Sequence, residues 1–171
     1  PGDRPRWRTT GPRSAVRPIS NRGGEDMNVD RNGLEVLDRN ESLRLLGTAT
    51  LGRIAITSNA LPMVLPVNFR FDGSQVLFRT AAGTKLDAAT DHTVVAFEVD
   101  EIDPATETGW SVVVTGMARE VTDPAELAAA RRHQLTRWAS GDGDRVVSIR
   151  ADLVSGRRIP PKAYAPAASG G

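Results

Sequence analysis

The chain has 171 residues and a mass of 18.3 kDa, enough for one domain with a real core and too little for two. Hydrophobic residues at 39% and charged residues at 25% exclude disorder throughout and a fibrous repeat, and the absence of Cys excludes disulfides, thiolate metal sites and a catalytic thiol. The net charge of +1 hides a division: residues 1 to 26 carry six Arg against three acids, so the basic character belongs to the N-terminal end and the remainder is slightly acidic.

That Arg-rich end contains Pro5, Pro12, Pro18 and Gly23-Gly24 and has no amphipathic period, which predicts a disordered basic arm over residues 1–26. Nucleic-acid binding by the arm is the lesser expectation. Met27 falls where the disordered composition stops, and the folded domain is expected over residues 27–160, with a flexible tail over 161–171. No apolar run approaches the roughly 18 to 20 residues that cross a bilayer, and no apolar signal core is seen; the expected partners include no membrane and the expected location is the cytoplasm.

Asp38 or Asn40 caps a predicted helix through Leu46, ending at Gly47, with Leu37, Leu43 and Leu46 as its buried stripe. Strands are predicted at 51–57 and 63–71, separated by a turn at Ser58-Asn59. Pro62 and Pro66 lack amide donors and suit an edge, an end or a bulge. Asp72-Gly73 signals a hairpin into a strand at 75–79, and a short helix follows from Lys85 to about Thr90. Two more strands, 93–99 and 110–121, flank an acidic loop with Pro104, the second bent at Gly116. Asp123-Pro124-Ala-Glu126 opens a helix predicted to run through Trp138 to Gly141, and 145–149 is a last strand candidate. Hairpins between consecutive strands and short helices favour an antiparallel barrel with peripheral helices over a doubly wound parallel sheet.

Phe78-Arg-Thr-Ala-Ala-Gly-Thr-Lys85 carries the most chemistry. A strand ends, small residues permit close backbone approach, and two hydroxyls, a guanidinium and an ammonium gather before a helix. Such a segment either holds a phosphate or is an ordinary charged turn; the P-loop order is absent. In Leu61-Pro-Met-Val-Leu-Pro-Val-Asn-Phe, Asn68 is polar among apolar residues. It either satisfies neighbouring backbone or, with the backbone beside Val67, meets the polar edge of a flat heterocycle. Trp110 leads an apolar strand and either closes the barrel end or touches a ligand, with Ser111 beside it. His92 reads as a loop residue and His133 as part of a charged helix face. A metal site is not expected from Glu98, Asp100, Glu101 and Asp103, which lack a second ligand group. No nucleophile elbow is present, and no catalytic residue is assigned.

Six motifs in order, Gly52-Arg-Ile-Ala, Leu65-Pro-Val-Asn-Phe, Phe78-Arg-Thr-Ala-Ala-Gly-Thr-Lys, Val95-Ala-Phe-Glu-Val-Asp, Gly109-Trp-Ser-Val-Val-Val-Thr-Gly and Ser155-Gly-Arg-Arg-Ile, resemble the pyridoxamine 5′-phosphate oxidase-like family of FMN-binding split barrels over residues 36–160. The resemblance implies a mainly β split barrel with peripheral helices, homodimeric, with flavin sites at the subunit interface. It implies that Thr80, Thr84 and Lys85 hold the FMN phosphate with Arg79 as an added cation, that Val67 and Asn68 run along the isoalloxazine, and that Trp110 and Ser111 reach a flavin across the interface. The family's authentic oxidase has two cations in the phosphate segment where this chain keeps one, a basic strand where this chain has Pro66-Val-Asn-Phe, and a C-terminal motif matched only loosely by Arg157-Arg-Ile-Pro160. Vitamin B6 oxidation is therefore not expected.

The implied activity is redox of an unidentified small molecule through FMN. F420 is the alternative cofactor, which two Lys against twenty Arg, as in a GC-rich coding sequence, make plausible. The alternative from another class is a module that binds flavin, F420 or haem without turnover.

Overall fold

A computed structural model describes residues 17–20, 26–84, 86, 90, 92–133, 135 and 144–160. Among the described residues ten strands and two helices are delimited, in chain order: β1 (Arg17–Ser20), β2 (Asp26–Val29), β3 (Glu35–Leu37), α1 (Arg39–Thr48), β4 (Leu51–Ser58), β5 (Leu61–Phe71), β6 (Gln75–Ala81), β7 (Thr93–Asp103), β8 (Thr108–Glu120), α2 (Pro124–Arg132), β9 (Asp144–Arg150) and β10 (Leu153–Ile159). All the strand pairs are antiparallel.

Six strands close a barrel in the order β4-β5-β6-β9-β8-β7, the ring being completed because β8 pairs with both β7 and β9. The first half of β8 also pairs with β10, Thr115 standing opposite Leu153, whereas its second half pairs with β9, Ala118 standing opposite Ile149. The switch between partners falls at Gly116. A Cβ there would overlap the carbonyl oxygen of Arg150, so the absence of a side chain lets β8 turn the barrel corner against the end of β9.

Alternation along the strands sends Ile54, Ile56, Phe69, Val76, Phe78, Val95, Phe97, Val99, Val112, Val114, Val147 and Ile149 inward, all nearly or wholly excluded from solvent. Phe69 and Phe97 meet edge to face with centroids 4.8 Å apart. Gly52 leaves the space that the Phe97 ring occupies. A second, smaller core of Leu77, Val121, Leu127, Ala130, Leu135 and Val146 lies outside the barrel, beneath α2.

Local signals explain most of the turns. The Asp38 carboxylate accepts from the Glu41 amide at 2.8 Å and starts α1. Asp123 accepts from the Ala125 and Glu126 amides, both at 2.9 Å, and starts α2 with Pro124 in its first turn. Asn59 and Ala60 both take positive φ, 50° and 63°, which makes the two-residue β4–β5 turn twist with its strands. Gly73, at φ 102°, serves the β5–β6 hairpin as expected.

Other expectations are corrected. α1 continues past Gly47 to Thr48 and ends in extended backbone at Ala49, so Gly47 is a helical residue and not a left-handed stop. β7 and β8 extend to Asp103 and back from Thr108, leaving only four residues for the loop around Pro104. α2 ends at Arg132 with His133 as its cap, well short of Trp138, and residues 136–143 lie outside the described residues. The predicted helix after Lys85 also falls mostly outside them; within it, the Thr90 hydroxyl donates to the Leu86 carbonyl at 2.8 Å. Arg17–Ser20, inside the arm expected to be disordered, forms a strand against Asp26–Val29.

Local pattern announced none of β1, β2, β3 and β10; two of the seven residues of β10 are arginines. β10 is held by β8 on one side and β3 on the other, with Gly156 admitting Ser42 of α1 and Leu37. Arg157 reaches Asp30 at 3.2 Å, while Arg158 reaches Glu35 at 3.2 Å and Glu41 at 2.6 Å. The hydrogen bonds from Arg44 and then Arg158 lower the Glu41 carboxyl to about 2.

Candidate functional site

The β5–β6 ladder runs from Phe71–Val76 only to Phe69–Phe78. Beyond that pair β5 stays with β4 as far as Ser58–Leu61, whereas β6 stays with β9 as far as Ala81–Asp144. The two strands part, and the barrel is split between the 61–68 stretch of β5 and the end of β6.

The Phe69 amide donates to the Thr50 carbonyl on the β4 side at 3.0 Å. Backbone groups alternate along a strand, so Val67, Leu65 and Met63 also turn theirs to β4, whereas Asn68, Pro66, Val64 and Pro62 turn theirs to the split. Both prolines thus stand where no ladder donor is needed, the edge position that their missing amides suggested. What remains along that edge is a row of carbonyls with the amides of Asn68 and Val64. Such an edge suits a flat ring whose own rim alternates donors and acceptors.

Across the split, Thr80 is only 5% exposed and shares a hydrogen bond of 3.1 Å with the Thr84 hydroxyl. The Thr84 hydroxyl also donates to the Ala81 carbonyl at 3.0 Å, and Gly83 turns the chain with φ 74°. The two hydroxyls are therefore brought together at the strand end, as the motif required. Lys85 lies outside the described residues.

Arg79 does not join them. Successive strand residues face opposite ways, and its guanidinium lies outside the barrel, donating to the Leu135 carbonyl at 3.4 Å. The register instead sets Arg145 of β9 directly opposite Thr80 on the same face, where it pairs with Glu120 at 3.0 Å. Sequence reasoning treated Arg145 as the start of a strand. No local signal marks it, since its placement depends on a β6–β9 pairing across some 65 residues of chain.

Val67 faces inward, packed on the main core, and Asn68 faces outward beside Leu51. Trp110 packs on the same core at the start of β8, whereas Ser111 points outward, between Asp100 and Arg157. Within one chain the sheet β5-β4-β7-β8 separates Ser111 from Asn68 by three strand spacings, about 14 Å. The outer face of that sheet carries a cross-strand row Val64–Ala55–Ala96–Thr115–Leu153. Val64, Leu153 and the nearby Val94 are 63%, 69% and 67% exposed. Beside the row, Arg53 holds Glu98 at 3.3 Å and Asp100. Burial, with the neighbouring Asp100 charge, raises the Glu98 pKa.

Among the described residues no helix is long and apolar enough to cross a membrane. Comparison with known proteins converges on one family. Residues 38–158 match the family model described as pyridoxamine 5′-phosphate oxidase. An uncharacterized protein of Mycobacterium tuberculosis is 42% identical over 128 residues, covering 72% of this chain and 84% of its own. Among solved structures, the FAD binding protein from Mycobacterium smegmatis is 40% identical, with a TM-score of 0.66, and covers 72% of this chain and 97% of its own. An FAD-binding protein from Mesorhizobium loti has the same fold at 23% identity, with a TM-score of 0.63 over 74% of this chain and 99% of its own.

Proposed function

The chain belongs to the pyridoxamine 5′-phosphate oxidase family, and from that premise we propose that it is a flavin-binding oxidoreductase acting on a small molecule, with the flavin seated in the split between β5 and β6. The observation that carries this reading is the split itself. One lip is a strand edge whose amides and carbonyls turn to the split, and the other is a pair of hydroxyls with a cation opposite them. Both parts fit an FMN-type group: backbone of Asn68, Pro66 and Val64 along the ring, Val67 against its apolar face, and Thr80, Thr84, Lys85 and Arg145 toward the phosphate.

The bound flavin supplies the redox chemistry, and the protein's part is to orient the ring and keep its phosphate fixed. A pyridoxamine 5′-phosphate substrate is not part of this reading, since Pro66-Val-Asn-Phe offers no cation beside the ring. The test is the visible spectrum of the purified protein, before and after titration with FMN and with F420. A bound flavin gives a band at about 450 nm and a deazaflavin one at about 420 nm. A protein that stays colourless and takes up neither refutes the proposal.

A second copy of the chain is the proposed partner. The row Val64–Ala55–Ala96–Thr115–Leu153 is a continuous cross-strand strip of mostly apolar side chains, with Val64 and Leu153 well exposed at its two ends. Arg53, Glu98 and Asp100 beside it supply both signs of charge, as a self-complementary twofold interface needs. The same face carries Ser111, which reaches a ring on β5 from the partner and not from its own chain. Ala96→Arg, placed in the middle of the row, is expected to halve the mass measured by sedimentation and to weaken flavin binding with it. A wild-type chain that sediments as a monomer at micromolar concentration rules the partner out.

A further inference from the structure

Outside the barrel, under α2, lies a cleft of about 500 Å³. Its floor is aliphatic, made by Val121, Leu127, Leu135 and Val146 of the outer core. Among the described lining residues its rim carries three guanidiniums, Arg79 from β6, Arg131 from the last turn of α2 and Arg145 from β9, against the one carboxylate of Glu120. Glu120 holds Arg145 at 3.0 Å, so the excess positive charge of this rim comes from Arg79 and Arg131. Arg79 is steadied by its bond to the Leu135 carbonyl at 3.4 Å, and Arg131 stands on the exposed surface of the helix.

The cleft is not the split. Arg79 shares its face of β6 with Leu77 and stands opposite Val146, both residues of the outer core, whereas the Thr80 hydroxyl, with Thr84 bonded to it, lies on the other face. Leu127, Leu135 and Arg131 take no part in the split, so occupancy of the cleft is independent of the flavin. The volume is that of a small-molecule site. An aliphatic floor covers one side of a flat body, planar guanidiniums stack on an aromatic face, and their forked N–H donors match the two oxygens of a carboxylate. An alkyl acid meets the charge but gives the guanidiniums no ring face. We propose that the cleft is a second ligand site, separate from the split, which takes a small aromatic carboxylate, its ring on the aliphatic floor and its carboxylate toward Arg131 and Arg79.

The experiment is an isothermal titration of the full chain with 2-naphthoate and with 2-naphthamide, the uncharged counterpart of the same shape. Naphthoate is expected to bind at least about tenfold more tightly than naphthamide, the factor typical of one charge-assisted contact. Arg131→Ala is expected to weaken naphthoate by about fivefold or more while leaving naphthamide within about twofold. Arg132→Ala removes the same charge from the next residue, which does not line the cleft, and is expected to leave both affinities unchanged. Saturation with FMN is expected to leave the naphthoate affinity within about twofold. No binding of naphthoate, equal affinity for the two compounds, equal effects of the two arginine variants, or displacement of naphthoate by FMN overturns the second site. A chain that binds naphthoate as expected but takes up no flavin refutes the flavin reading alone.

Discussion

Replacing Gly116 by alanine is expected to cost about 3 kcal/mol, and replacing it by valine to leave no folded barrel at room temperature. The reason is where the added Cβ goes. It meets the carbonyl oxygen of Arg150, a backbone atom that cannot rotate aside, at the point where β8 passes from β10 to β9. Relief requires β8 and the β9–β10 connection to separate. That separation opens the barrel ring and exposes Val112, Val114, Val147 and Ile149, all essentially inaccessible in the native chain. A loss of 3 kcal/mol is a large share of the 5 to 15 kcal/mol typical of a whole domain. Urea unfolding followed by far-ultraviolet circular dichroism measures it. A wild-type midpoint for Gly116→Ala means that β8 does not approach Arg150 in solution, and the closed ring fails with it.

The second large effect is on cofactor binding. Thr84→Ala combined with Lys85→Ala is expected to weaken the flavin by about a hundredfold or more, since each hydrogen bond to a charged phosphate is worth about 1.5 to 3 kcal/mol. Thr84 also positions Thr80, through the 3.1 Å bond between their hydroxyls, so its loss leaves a buried hydroxyl misdirected as well as a contact missing. Fold stability should change little, because Thr84 lies three residues beyond the end of β6 at Ala81, outside the β6–β9 ladder. Titration by flavin fluorescence with a parallel thermal melt separates the two quantities. An affinity within a factor of about three of wild type would show that the segment is a charged turn and not a cradle.

Gly116 and Thr84 also mark two depths at which the sequence can be read. Thr80, Gly83 and Thr84 are neighbours along the chain, so their grouping was visible in a motif of eight residues. Gly116 was legible only as a bend. That it sits against Arg150 depends on a pairing between residues far apart in sequence, which no local pattern encodes. Arg79 shows the converse error: adjacency suggested that it would share the work of Thr80, but a strand turns adjacent side chains to opposite faces. Arg145, and not Arg79, shares a face with Thr80 because register, not sequence distance, decides which side chains stand together.

What the sequence determined by itself follows from interactions over a few residues. The caps Asp38 and Asp123, the turns at Asn59 and Gly73, the alternation of β4 through β9 and the hydroxyl pair are all local, and together with the order of six motifs they specify the split-barrel family. Tertiary structure alone decided three things. It placed β10, whose arginines satisfy themselves on Asp30, Glu35 and Glu41 rather than by burial. It parted β5 from β6 after Phe69–Phe78, which leaves a proline-bearing strand with an open edge. It also brought Arg79, Arg131 and Arg145 to one cleft by folding α2 over β6 and β9. Each of these rests on which strand lies next to which, a choice made when the barrel closes and its whole inner face is buried at once.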